Sequence, residues 1–354
     1  MAMTYLGETS SGRDNNLNLI RAVAATAVLV SHAYPLTMGA DEIEPLEILT
    51  GHSLGTLAVY VFFAISGFLI SMSFERTSSW LSFLTARFLR LLPGLVVSLA
   101  FVAFVLGPLV TSLAPAAYFA QAETWTFVPR NTLLFPLQLT LPGVFETNPM
   151  EAVEGSIWTL FYEVVCYMGV FAVGLVGILR RPALMAIGIA GYVVAWILIE
   201  IYGAPAPRIG RLQELSLPFV IGMAFYIWRD RLPLSLIGVA ALGLLAIALR
   251  DQPVYDLALG LFLAYATFWV GYVPGGVIRK FNALGDYSYG IYIYAFPLQG
   301  LAVWLMPGQS PLMNMVVALP LTLILSIASW HLVEGPAMQS KGRVLALLQS
   351  PRRA

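Results

Sequence analysis

The sequence predicts an all-α, polytopic integral membrane protein of about ten transmembrane helices, with the N-terminus and C-terminus cytoplasmic. Three observations predict it. Of 354 residues, 59% are apolar and only 11% charged, whereas about a quarter of a soluble domain is charged. So few charges cannot cover a soluble surface. Apolar stretches of roughly 20 residues, the length that crosses the hydrocarbon core, recur along the whole chain. Lys and Arg gather on alternate connections between those stretches.

The stretches fall at about 17–36, 54–73, 90–112, 155–178, 183–202, 212–228, 232–249, 254–273, 284–305 and 311–333. They define a short tail (1–16), a membrane domain (17–336) and a second tail (337–354). Short connections rich in Pro, Gly and charge join them, apart from two longer outer ones near 37–53 and 113–154. The N-terminal residues carry no signal-peptide cleavage pattern, so the first stretch is expected to act as an uncleaved anchor. With the N-terminus inside, the inner side holds Arg13, Arg21, Arg76, Arg87, Arg90, Arg180, Arg181, Arg229, Arg231, Arg279, Lys280, Lys341, Arg343, Arg352 and Arg353. The outer side holds only Arg130, Arg208, Arg211 and Arg250. The first outer loop is acidic, with Asp41, Glu42, Glu44 and Glu47. Net charge is zero, which gives no sign of a nucleic-acid partner, and three histidines with one cysteine make a metal site unexpected.

Charged groups inside membrane segments are costly, so each is a candidate for function. Arg21 and His32 lie eleven residues apart in the first stretch. At about 100° and 1.5 Å per residue they share one face, about 16 Å apart. A neutral imidazole can take a proton from a hydroxyl, which makes His32 a candidate general base; the bland alternative is a packing histidine above a snorkelling arginine. Glu163, about two turns into the fourth stretch, needs a partner at that depth. Orienting a histidine, binding a sugar hydroxyl and pairing with an arginine all remain open for it. Arg87 and Arg90 share a helical face at the inner end of the third stretch and suit phosphate groups, or ordinary positive-inside anchoring. The ninth stretch opens Gly285-Asp286-Tyr287-Ser288-Tyr289-Gly290-Ile291-Tyr292-Ile293-Tyr294, with enough tyrosines to line a polar cavity as well as an interfacial belt. Gly51-His52-Ser53-Leu54-Gly55 matches a hydrolase elbow, but an acidic loop and a membrane stretch flank it instead of a strand and a soluble helix. Cys166 sits in an apolar segment with no evident base, and His331 reads as a packing or interface residue.

Several segments, in order, resemble the membrane acyltransferases called acyltransferase family 3. Asn18-Leu19-Ile20-Arg21 through Ser31-His32-Ala33 is similar to that family's basic residue, ten intervening residues and histidine. Val59 to Ile70 resembles its second-helix signature, and Arg87-Phe88-Leu89-Arg90 its R-x-x-R element. Gly155-Ser156-Ile157-Trp158-Thr159-Leu160-Phe161-Tyr162-Glu163 resembles G-S-x-W-[ST]-L-x-x-E, and Ser288-Tyr289 and Glu334-Gly335-Pro336 its late motifs. Asn18 stands where many members have Asp, and Ala295 where many have His, which leaves His32 as the well-placed histidine.

The resemblance implies a multi-pass enzyme of the bacterial inner membrane that moves an acyl group to a hydroxyl of an extracytoplasmic glycan or glycolipid. The donor implied is acetyl-CoA or another acyl-CoA. Arg87, Arg90 and Arg21 are then expected at the donor's phosphates, His32 as base or acyl carrier, and Glu163 orienting it or the acceptor. Trp158 offers a flat face to a sugar ring, with Tyr289 and Tyr292 beside the substrate. A transporter or flippase for a sugar or lipid-linked intermediate is the principal rival, and thiol release from acetyl-CoA separates the two. A non-catalytic scaffold or sensor gives no reason for so many charges at or inside membrane segments.

Overall fold

The computed structural model describes residues 4–12, 14–77 and 79–349. Arg13, Arg352 and Arg353, placed above on the inner side, lie outside the described residues. Every apolar stretch is helical: α1 (Leu17–Met38), α2 (Leu54–Arg76), α3 (Trp80–Phe101), α4 (Trp158–Leu175), α5 (Pro182–Tyr202), α6 (Pro207–Ile227), α7 (Leu236–Ala248), α8 (Tyr255–Tyr272), α9 (Ser288–Leu305) and α10 (Pro311–Ser329). Among the described residues, six helices are long and apolar enough to cross a membrane: α1, α2, α4, α5, α3 continued to Val110, and α10 continued to Gln349. Counting α8 together with the 3₁₀ segment Gly276–Ala283, bent from it by 90°, makes seven. The chain is a multi-pass, all-α membrane protein. Helix α5 illustrates why lipid is required: only 11% of its apolar window is buried within the protein, so Ile187, Val194 and Leu198 face outward.

Both long helices that continue past their α-helical part do so through a π turn, at Val102–Leu106 and at Trp330–Glu334. A Gly-Pro pair, Gly107-Pro108 and Gly335-Pro336, follows each. Proline lacks the N–H that closes a normal turn and crowds the carbonyl four residues back, and a wider turn relieves both. In the first turn, the Tyr118 hydroxyl donates to the Ala103 carbonyl at 2.7 Å.

The chain divides into two units, each assembled from separated segments. One comprises residues 1–24, 56–80 and 162–285. Its core gathers Leu17, Ile65, Phe68, Tyr226, Phe268 and Tyr272, with Phe68 packed 4.8 Å from Phe268. Asn16 ties the start of α1 to the end of α8, donating to the carbonyls of Val270 (2.8 Å) and Pro274 (2.9 Å). A two-residue antiparallel pairing joins Thr4–Tyr5 to Pro233–Leu234. Within this unit α2 and α6 meet backbone to backbone. A Cβ on Gly67 would fall on the Phe219 carbonyl, and one on Gly222 on the Ala64 carbonyl.

The other unit comprises residues 25–55, 81–161 and 286–354. The acidic first loop contributes its own structure here: a short helix, Pro45–Thr50, and the buried Glu44, whose carboxylate caps the N-terminus of α2 at the Leu54 amide. The longer connection 113–154 contains helices Pro115–Ala120 and Ala122–Thr132.

Candidate active site

His32 lies on the part of α1 that belongs to the second unit, and its imidazole is partly buried. The ring of Phe296, on α9, stands edge-on to it at 5.2 Å and 81°. Its Nδ1 is buried and has no hydrogen-bond partner among the described residues. One turn earlier, the amide of the buried Gln299 on α9 donates to the Leu29 carbonyl at 2.8 Å and to Asn314 Oδ1 on α10 at 2.9 Å. Helix α1 is thereby fixed against α9 and α10 beside the imidazole. The glycine of the hydrolase-like match has a packing role: a Cβ on Gly55 would lie 2.9 Å from Ser31 Oγ.

Phe296 also connects His32 to the Gly155-Ser156-Ile157-Trp158 segment. A Cβ on Gly155 would lie 2.5 Å from Phe296 Cζ, so only glycine lets this loop pass the ring at this distance. Ser156 donates from its backbone N–H (3.1 Å) and its hydroxyl (2.8 Å) to Glu154 Oε1. The Tyr292 hydroxyl donates to the Ser156 carbonyl at 2.7 Å and meets Thr159 Oγ1. Tyr292 thus braces the loop that leads into the half-buried Trp158, the first residue of α4. Tyr289 is similarly occupied, its hydroxyl donating to the Leu91 carbonyl at 2.8 Å. The hydroxyls of both tyrosines expected beside the substrate act in this structure as internal struts.

Glu154 precedes the motif and was not singled out from the sequence. It is fully buried, and its Oε2 has no hydrogen-bond partner among the described residues. Burial pushes its carboxyl up to about 7, against the opposing hydrogen bonds from the Ser156 hydroxyl and from the backbone of Ser156, Gly155 and Ile157. The folded protein therefore holds this proton more tightly than the unfolded chain. The stability it contributes is complete below the ordinary carboxyl value and is lost as pH rises toward about 7. Melting curves in detergent between about pH 5 and pH 8 are expected to show Glu154→Gln losing less stability than the parent across that window, by on the order of 1–3 kcal/mol. An equally steep fall in the variant refutes this reading of Glu154.

Arg87 and Arg90 lie one turn apart on α3, well inside the helix rather than at its entrance, because the helix begins at Trp80. Arg90 is held by two carboxylates, Asp286 Oδ2 at 2.6 Å and Glu334 Oε2 at 3.4 Å. The two carboxylates hold the Arg90 fork in one orientation, and Arg87 lies one turn before it on the same helix.

In the first unit, Arg21 donates from Nη2 to Asn18 Oδ1 at 2.7 Å, so Asn18 holds the arginine from one turn away. Glu163 Oε1 accepts from Ser66 Oγ at 2.9 Å and from the Tyr167 hydroxyl. Its partners among the described residues are hydroxyls, with no arginine among them. Ser66 belongs to the Val59–Ile70 signature, which gives that segment a polar as well as a packing purpose.

A partly buried histidine on an apolar helix, with an aromatic ring edge-on to it, suits a membrane-embedded group-transfer enzyme. Comparison with known families gives the group transferred: residues 14–331 match the acyltransferase domain of acyltransferase family 3, and the chain belongs to that family. It is therefore an acyltransferase. It is similar to an O-acetyl transferase of Shigella phage Sf6, 28% identical over 340 residues that cover 91% of this chain and 95% of that protein. It is also similar to nodulation protein 10 of Rhizobium leguminosarum bv. viciae, 32% identical over 169 residues, 46% of this chain and 44% of that one. No solved structure matches it.

Proposed function

We propose that the protein is a ten-span O-acyltransferase of the bacterial inner membrane, with both termini cytoplasmic, that moves an acetyl group from cytoplasmic acetyl-CoA to a hydroxyl of an extracytoplasmic glycan or glycolipid. The family and the name of the phage relative support O-acetyl transfer. The excess of Lys and Arg on one side supports the orientation. The observation that carries the reading is His32, partly accessible, with the ring of Phe296 edge-on to it and the loop at Gly155 packed on that same ring.

In the reaction, His32 takes the proton of the acceptor hydroxyl as its oxygen attacks the thioester carbonyl. The new O–C bond forms, the C–S bond breaks, and the proton passes from His32 to the departing thiolate. Trp158 stacks on the sugar ring. Arg87 and Arg90 receive the donor's phosphates, with Arg21 as a further cation. Glu163, held by Ser66 and Tyr167, is tested by Glu163→Gln, which keeps an acceptor for both hydroxyls and removes the charge.

The test is mass spectrometry of surface glycans from cells with and without the gene. The expected result is one acetyl group per modified unit, present only with the gene. Identical glycans from the two strains overturn the proposal, and a larger added mass replaces acetyl by a longer acyl donor.

A further inference from the structure

The surroundings of Arg90 are more elaborate than a cation at a membrane surface requires. Two carboxylates face one guanidinium, and Glu334 has 1% of its side chain exposed. Removing either partner of a buried ion pair leaves an uncompensated charge, so the two carboxylates and the guanidinium depend on one another. Each partner is itself restrained. Ser329 Oγ donates to Glu334 Oε1 at 2.9 Å within the π turn, and Ser288 Oγ donates to Asp286 Oδ1 at 2.6 Å at the start of α9. The rings of Tyr289 and Trp330 lie 5.6 Å and 5.9 Å from the guanidinium carbon. Gly94, one turn beyond Arg90, leaves the space: a Cβ there would lie 2.9 Å from Tyr289 and 3.3 Å from Glu334. Three segments distant in sequence converge on one planar group.

We propose that Asp286 and Glu334 are positioning residues, which fix the orientation of the Arg90 guanidinium on α3 and act on the acyl donor only through it. A fork already held loses less side-chain freedom when an anion docks beside it. The inference rests on the donor reading above, in which Arg87 and Arg90 meet the donor's phosphates. It assigns a role to the two late acidic residues that places neither in contact with substrate.

The test uses the full chain in detergent, with activity expressed per mole of folded protein judged by size-exclusion profile. Glu334→Gln, which keeps an acceptor but removes the charge, is expected to raise the KM for acetyl-CoA about tenfold while kcat stays within about threefold. Combining it with Arg90→Gln is expected to leave acyl transfer within about twofold of Arg90→Gln alone, because the carboxylate has nothing left to position. Asp286→Asn takes its place in both measurements if Glu334→Gln does not yield folded protein. Multiplying losses in the double variant overturn the inference, as does an unchanged KM in the folded single variant. If the parent turns over no acyl-CoA, the donor reading fails instead, and the same double-variant comparison, read as glycan acylation in cells, decides this inference alone.

Discussion

Replacing His32 by alanine is expected to lower glycan acylation by at least about 100-fold while the protein still inserts. A positioned general base contributes roughly 100- to 10,000-fold to proton transfer, and His32 is the partly accessible histidine that lies on an apolar helix beside an aromatic ring. His331 is exposed near Tyr287 and His52 lies in the loop before α2, so neither replaces it. The substitution removes an edge contact with Phe296 and no hydrogen bond at Nδ1, so little of the loss should come from unfolding. Acylation measured on glycans and normalised to membrane-inserted protein checks this. Activity within a few-fold of the parent would remove His32 from the mechanism.

The second large effect is on stability and lies in the other unit. Gly67→Val and Gly222→Val each put side-chain atoms onto a backbone carbonyl of the facing helix, Phe219 and Ala64 respectively. Backbone cannot move aside as a flexible side chain can, so α2 and α6 must separate. Small residues at such contacts are what allows close helix packing in membranes. Overpacking commonly costs about 1–3 kcal/mol, and backbone against backbone should reach or exceed the upper end. Both variants are expected to lose monodispersity in detergent at temperatures where the parent remains folded. Gly188→Val, where an added Cβ on α5 meets open space, is the control and should stay within about 0.5 kcal/mol of the parent. If all three behave alike, close packing at Gly67 and Gly222 is not what holds this unit together.

The helices were legible because a run of apolar residues has few alternatives in lipid. Their ends were less so. The polar Arg87 and Arg90 moved the expected start of the third stretch to 90, yet the helix begins at Trp80, since arginine is a good helix former. The sixth was expected from 212, but the helix starts at Pro207, a residue suited to a first turn, despite Arg208 and Arg211. The seventh is shorter than expected because Ser235 caps it, its hydroxyl accepting from the Gly238 amide at 3.0 Å, while Pro233–Leu234 pairs with Thr4–Tyr5. At the site, His32 stood out because a histidine in an apolar run is conspicuous. Phe296 did not, being one of 20 phenylalanines whose importance depends on its neighbour. The partners of Arg90 lie 196 and 244 residues away in sequence, beyond any local pattern. Both π turns had a readable signal in the paired Gly-Pro steps, visible once the backbone reason for them is known.

In the proposed reaction an acetyl group leaves acetyl-CoA on one side of the membrane and reaches a glycan on the other. Vesicles reconstituted with the protein, with labelled acetyl-CoA on the cytoplasmic side and polysaccharide from cells lacking the gene on the opposite side, test it directly. Label on the polysaccharide together with released thiol is expected, and neither with His32→Ala. Label that reaches the polysaccharide only when donor and acceptor share a side, or no thiol release by the parent protein, would contradict it.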